Sequence, residues 1–252
     1  MRMLAKLLFP PKCAACARLL GIDVPDAQAL CPDCQKLWES ESFETCGVCA
    51  KRVGDCACLT ERMQKAKCKG FYKLVYYVPS VKTPVQNRLI YTIKQTRDRR
   101  SVAFLAKALW GSVQGLLETE GIERKDVLLT YLPRSRAARL QYGTDQAKEL
   151  VEELARISGL PIRALIRRSG GKANSQKKLD PVARYRNAKS AFEGNEAFLA
   201  EVKGRTVLLV DDIVTTGASM AVGTRLLRKM GAAEVYAFAV ASDSYNKDRS
   251  VY

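Results

Sequence analysis

No histidine occurs anywhere in the 252-residue chain. That removes His general bases, Ser-His-Asp triads and His-ligated metals, and many enzyme classes with them. Cysteine is missing from residue 69 onward, since all nine lie at or before Cys68. No apolar run approaches the roughly 20 residues a membrane-spanning helix needs. The opening MRMLAKLLFPP is apolar but short, and Pro10 and Pro11 close it without a small-residue cleavage site. It reads as cytoplasmic sequence, not as a signal peptide. Neither GxxxxGK followed by Ser or Thr nor GxGxxG is present, which excludes two common phosphate-binding turns. Acids are scarce as well: 26 against 42 Lys and Arg, a formal charge of +16. Such an excess points to an anionic partner, a nucleic acid or a polyphosphate substrate or both.

The cysteines that are present are grouped. Cys13-Ala-Ala-Cys16 and Cys31-Pro-Asp-Cys34 are two CxxC knuckles fourteen residues apart. Four thiolates at this spacing suit tetrahedral Zn²⁺. Cys46-Gly-Val-Cys49 is a third knuckle, with Gly47 placed for its tight turn, and Cys56 and Cys58 follow as CxC. Sequential pairing gives one zinc to Cys13, Cys16, Cys31 and Cys34 and another to Cys46, Cys49, Cys56 and Cys58. A cross-braced pairing is also open, and Cys68 is either the spare thiol or a substitute for Cys58. Without a secretory signal, metal binding is favoured over disulfides. A unit this small lacks a self-sufficient core, so metal would supply its folding energy.

Residues 1–70 thus form a Cys-rich, zinc-ribbon-like domain, and 71–252 form a second domain of different composition. Residues 71–78 (FYKLVYYV) have strand-like content. A helix is predicted over 84–94, and a second, capped by Ser101, carries Val102, Leu105, Leu109, Val113 and Leu116 on one face. Residues 127–132 read as a buried strand, 145–157 as an amphipathic helix and 162–166 as another strand. Residues 163–189 hold nine basic residues and one acid, half the net charge of the chain. After 207–210, a helix carries Val222, Leu226, Leu227 and Met230 and is closed by Gly231, and 235–241 give a last strand. Strands alternating with helices predict an α/β fold, a parallel sheet flanked by helices.

Residues 207–219, VLLVDDIVTTGAS, organise this second part. Four apolar residues make a strand buried on both faces. Asp211 and Asp212 stand at its end, followed by Thr215, Thr216, Gly217, Ala218 and Ser219 at the start of a helix. Ligands of parallel α/β sheets bind beyond the strands' carboxyl ends, where backbone N–H groups and a helix dipole favour phosphate. Carboxylates accept hydrogen bonds from paired hydroxyls, as on a ribose. Arg134 and Arg136, just past the 127–132 strand, are placed for a second phosphate group.

The 207–219 stretch resembles the PRPP-binding signature of type I phosphoribosyltransferases. With cysteine knuckles in front, nearly the whole chain resembles the ComF family, amidophosphoribosyltransferase-like proteins tied to late competence and DNA uptake in bacteria. The likeness rests also on Leu132-Pro133-Arg134, on Tyr142-Gly143-Thr144-Asp145-Gln146, and on Gln176, Leu179, Arg184, Asn187 and Phe192. The chain departs at Tyr142, where the family commonly has arginine, and at Cys56 and Cys58, where CxxC is usual. The resemblance implies that Asp211 and Asp212 hold the ribose hydroxyls and that residues 215–219 hold the 5′-phosphate. It implies that Arg134 and Arg136 meet the pyrophosphate, with Mg²⁺ bridging pyrophosphate and ribose oxygens. The 172–186 loop, with Lys172, Lys177, Arg184 and Arg186 as its catalytic cations, would close over them. It further implies phosphoribosyl transfer to an unnamed acceptor, or a PRPP-sensing or single-stranded-DNA-binding accessory role beside DNA-uptake proteins.

Overall fold

The computed structural model describes residues 9–77, 85–95, 98–169 and 190–243. Cysteine-bearing loops lead into helix α1 (Pro32–Ser42) and the short α2 (Glu61–Lys65), and the chain then enters strand β1 (Gly70–Tyr77). Helices α3 (Val85–Gln95) and α4 (Arg99–Glu120) follow, then β2 (Val127–Tyr131), α5 (Arg136–Tyr142) and α6 (Gln146–Ser158). Two short strands, β3 (Ile166–Arg168) and β4 (Phe192–Gly194), and a one-turn α7 (Leu199–Val202) precede β5 (Thr206–Val214). Helix α8 (Ala218–Lys229) and β6 (Glu234–Asp243) complete the described chain.

The main sheet has the order β1-β6-β5-β2, and every pairing in it is parallel. Strand β5 lies inside it, and Val207, Leu208, Leu209 and Val210 are wholly buried. The twofold period of the strand divides them. Leu208 and Val210 join one core with α3, α4, α6 and the cysteine loops, while Val207 and Leu209 join another with α2, α8 and the β3–β4 pair. Each such side chain contributes roughly 1.5–3 kcal/mol by burial. At Gly223 of α8, an added Cβ would lie 2.8 Å from Leu209 Cδ2, so glycine lets this helix press onto β5.

The cysteine-rich segment shares the first core. Trp38 of α1 packs edge-on against Phe104 of α4 with ring centroids 5.5 Å apart, and Leu30 is buried in the same cluster.

Several expectations need correction. Helix α4 is capped by Asp98, whose carboxylate accepts from the Arg100 and Ser101 N–H groups; Ser101 lies inside the helix, buried, and donates its hydroxyl to Asp98. The predicted 162–166 strand is only a single bridge from Ile162 to Leu129. Past it the Thr130 hydroxyl takes the Leu165 N–H at 3.3 Å, and residues 166–168 pair antiparallel with β4 instead. In the third knuckle the left-handed residue is Ala50 (φ 56°), not Gly47, and Ala17 (φ 60°) holds the same place in the first.

Candidate functional site

Parallel pairing sets Tyr131, the last residue of β2, beside Val210 of β5, while β5 runs on through Asp211 and Asp212 to Val214 beside β6. The chain beyond β2 therefore runs next to Asp211 and Asp212. Arg134 closes the gap: its Nη2 lies 3.3 Å from Asp212 Oδ2 in a largely buried ion pair. Both carboxylates also accept locally, Asp211 Oδ1 from the Asp212 N–H at 2.9 Å and Asp212 Oδ1 from the Ile213 N–H at 2.8 Å.

Beyond Val214 the chain turns through residues 215–217 into α8. Gly217 is the N-cap residue, in the left-handed region at φ +70°, and no side chain caps the helix. The first-turn N–H groups of α8 lack partners within the helix and face the loop. Thr215 is exposed and Thr216 and Ser219 are half-buried, whereas Gly217 and Ala218 are buried. The hydroxyls thus lie on the open side and the small residues on the packed side. An acid pair, an arginine and an uncapped helix start with hydroxyls meet toward the carboxyl end of β5. This arrangement has donors for a phosphate and acceptors for a diol.

Arg136 is not drawn into this group; it is exposed, at the start of α5, which Ser135 caps through the Ala138 N–H. Lys172, Lys177, Arg184 and Arg186, together with Gln176, Leu179 and Asn187, lie outside the described residues. So does the Tyr142 side chain.

Two residues not assigned to the site from sequence stand beside it. Asp145, buried, accepts the Arg134 N–H at 2.9 Å; its other oxygen, also buried, has no hydrogen-bond partner among the described residues. Arg168 donates from Nε to the Pro133 carbonyl at 2.9 Å and stacks over Phe192 at 4.3 Å. Burial pulls its guanidinium below the ordinary value, against the opposing charges of Asp211 and Asp145. In the sequence Asp145 is signalled by the family-like 142–146 stretch and by a predicted helix start, Arg168 only by its place in a basic run.

The nine cysteines form no disulfide. The thiols of Cys13, Cys16, Cys31 and Cys34 lie within 4.8 Å of one another, as do those of Cys46, Cys49, Cys56 and Cys58. The donor chemistry fits a zinc ion in each. The knuckles are built alike: the Cys13 N–H bonds the Arg18 carbonyl and the Cys46 N–H the Lys51 carbonyl, both at 2.8 Å. Burial opposes ionisation of Cys13, but N–H groups about the knuckle outweigh it and bring the thiol down to about 7. The same contest brings Cys46 down to about 6. Cys68 belongs to neither group; it is buried and its thiol faces the Gly70 and Val235 carbonyls. In the second group, Lys73 Nζ stands 3.1 Å from Cys56 Sγ, although Lys73 is only 2% exposed.

Residues 146–250 match the phosphoribosyl transferase domain family. Competence protein F of Haemophilus influenzae is 27% identical over 84% of this chain and 90% of its own length. The DNA utilization protein YhgH of Salmonella typhimurium is 27% identical over 88% of this chain and 86% of its own. Over most of its length the chain is thus similar to a competence protein and a DNA utilization protein. Solved structures are more remote. Adenine phosphoribosyltransferase from Saccharomyces cerevisiae is 21% identical over 61% of this chain and 79% of its own, with a TM-score of 0.35. An allosteric regulatory enzyme of purine biosynthesis is 15% identical with a TM-score of 0.38; the match spans 30% of that longer chain. The chain joins a phosphoribosyl transferase domain, a parallel sheet between helices, to two four-cysteine groups. Among the described residues no helix is long and apolar enough to cross a membrane.

Proposed function

We propose that this ComF-type chain binds PRPP at the carboxyl end of β5 and transfers its phosphoribosyl group to an acceptor. The observation that carries the reading is the meeting of Asp212 with Arg134 at 3.3 Å beside the α8 N-terminus. In this reading Asp211 and Asp212 accept from the ribose hydroxyls, and Thr215, Thr216 and Ser219 with the Gly217 and Ala218 N–H groups hold the 5′-phosphate. Arg134 exchanges Asp212 for the pyrophosphate, and Arg168 supports the 133–135 turn from behind. Carboxylate oxygens suit Mg²⁺, which on binding with PRPP would neutralise part of the leaving group's charge.

The reaction asks for no histidine. Cleavage of the bond between ribose C1 and the pyrophosphate leaves an oxocarbenium-like centre, so a protein contributes chiefly position and charge neutralisation. Lys172, Lys177, Arg184 and Arg186 are assigned to that neutralisation on the family resemblance. The two four-cysteine groups each hold a structural zinc in this account.

A second reading, an accessory role in handling incoming single-stranded DNA, is favoured by the +16 charge and by the names of the two relatives. It keeps the PRPP pocket and dispenses with turnover. Mixing the chain with PRPP, Mg²⁺ and a metabolite extract separates the two. A phosphoribosylated product seen by mass spectrometry, lost in Asp211→Asn with Asp212→Asn, supports transfer. PRPP binding without any product, joined to DNA affinity that falls steeply with salt, supports the accessory role.

A further inference from the structure

The second cysteine group is joined to the phosphate loop by a short piece of chain. Thr60 comes two residues after Cys58 and caps α2, its hydroxyl accepting from the Met63 N–H. Met63 is wholly buried, in one cluster with Ala218, Met220 and Ala221 of α8. Gly217, in the middle of the loop, faces this segment directly. A Cβ built on Gly217 would sit 2.4 Å from Thr60 Oγ1 and 3.1 Å from Met63 Sδ. The floor of the loop is therefore supplied by the cysteine-rich segment, and no side chain fits between them.

The other end of the connection is fixed as well. The carbonyl of Ala57, between two cysteines of the group, accepts the Phe71 N–H of β1 at 3.1 Å. Cys56 receives the Lys73 ammonium from the same strand. Nothing in the 56–60 stretch is long enough to absorb a displacement of the cysteines without moving Thr60.

From this geometry we propose that Thr60 is a positioning residue for the phosphate loop. Metal in the Cys46, Cys49, Cys56 and Cys58 group and phosphoribosyl ligand at residues 215–219 then stabilise each other through it. The proposal rests on the PRPP reading above and adds to it a residue from outside the phosphoribosyltransferase domain. Linkage makes the effect reciprocal: whatever metal does for ligand affinity, ligand does for metal retention.

The test uses the full, zinc-loaded chain. PRPP with Mg²⁺ is titrated by calorimetry into wild type, Thr60→Ala and Thr60→Ser, and zinc release to a colorimetric chelator is followed with and without PRPP. The release phase absent from Cys58→Ser identifies the second group. Thr60→Ala should weaken PRPP about five- to tenfold and Thr60→Ser, which keeps the hydroxyl, about twofold or less. Saturating PRPP should slow second-group release by a similar factor in wild type, not in Thr60→Ala, and should leave first-group release unmoved. Equal PRPP affinity in wild type and Thr60→Ala, or second-group release indifferent to PRPP, overturns the positioning role and leaves the PRPP reading standing. No PRPP binding by wild type removes both. The release measurement on wild type needs only the Cys58→Ser reference and not Thr60→Ala, so second-group release indifferent to PRPP overturns the proposal even if Thr60→Ala does not fold.

Discussion

The two cysteine groups are alike within and unlike without. Each begins in a knuckle with the same backbone bonds and the same left-handed alanine, Ala17 in one and Ala50 in the other. Their surroundings diverge. The first rests on α3, where Arg88 donates to the Ala15 carbonyl and Thr92 to the Ala14 carbonyl. The second rests on β1 through Lys73 and the Ala57–Phe71 bond, and through Thr60 it reaches the loop before α8. Two four-cysteine groups of one chemistry can therefore have different work: one rests on a helix, the other braces a strand and the loop before α8. Site chemistry follows from the cysteines alone; consequence follows from what the cysteines are attached to.

The sharpest way to break the comparison is to remove each group in turn. Cys13→Ser with Cys31→Ser, or Cys46→Ser with Cys56→Ser, should each lower zinc content by one per chain. Structural zinc contributes on the order of 10–16 kcal/mol in small peptides, so either loss should be large. Only the second should also weaken PRPP in calorimetry; equal weakening by both would erase the distinction. Next in size is Lys73→Met. It strips the buried ammonium from Cys56 and leaves thiolate charge uncompensated, a loss of about 3–5 kcal/mol. Zinc competition should show it in the second group and not in the first.

Gly217→Ala comes third. The positive φ and the contact with Thr60 should together cost about 1–3 kcal/mol, read by chemical denaturation, and PRPP affinity should fall. Smallest is Arg88→Ala, which deletes one donor to the first knuckle and should cost about 0.5–1.5 kcal/mol. It should speed first-group zinc release and leave PRPP binding as it was.

Much of this was legible in the residue order, and the exceptions have physical causes. Residues 207–210 announce a strand buried on both faces because nothing else fills four consecutive apolar positions before two acids. Sequential pairing, the simplest of those the cysteine spacings leave open, groups the thiols as observed, CxC included, with Cys68 the spare. What spacing could not give is attachment. Lys73 stands in the strand-like 71–78 run, and nothing in that run marks it as buried against a thiol, as it is. Thr60 caps α2, and its second neighbour lies more than 150 residues away at Gly217. Ile162 had the composition of a strand, but a side-chain acceptor, Thr130, diverts the chain after one bridge. Asp98 outcompetes Ser101 as a cap because a carboxylate accepts two N–H groups at once. These are long-range or competitive contacts, and local pattern carries no record of them.

The roles proposed for Asp211, Asp212, Arg134 and the 215–219 turn all depend on where the activated sugar lies. A crystal of the zinc-loaded chain soaked with PRPP and Mg²⁺ measures this directly. Ribose hydroxyls on Asp211 and Asp212, the 5′-phosphate in the 215–219 turn and Arg134 released from Asp212 are the predicted result. A sugar bound elsewhere, or an Arg134–Asp212 pair that survives with PRPP present, would contradict it.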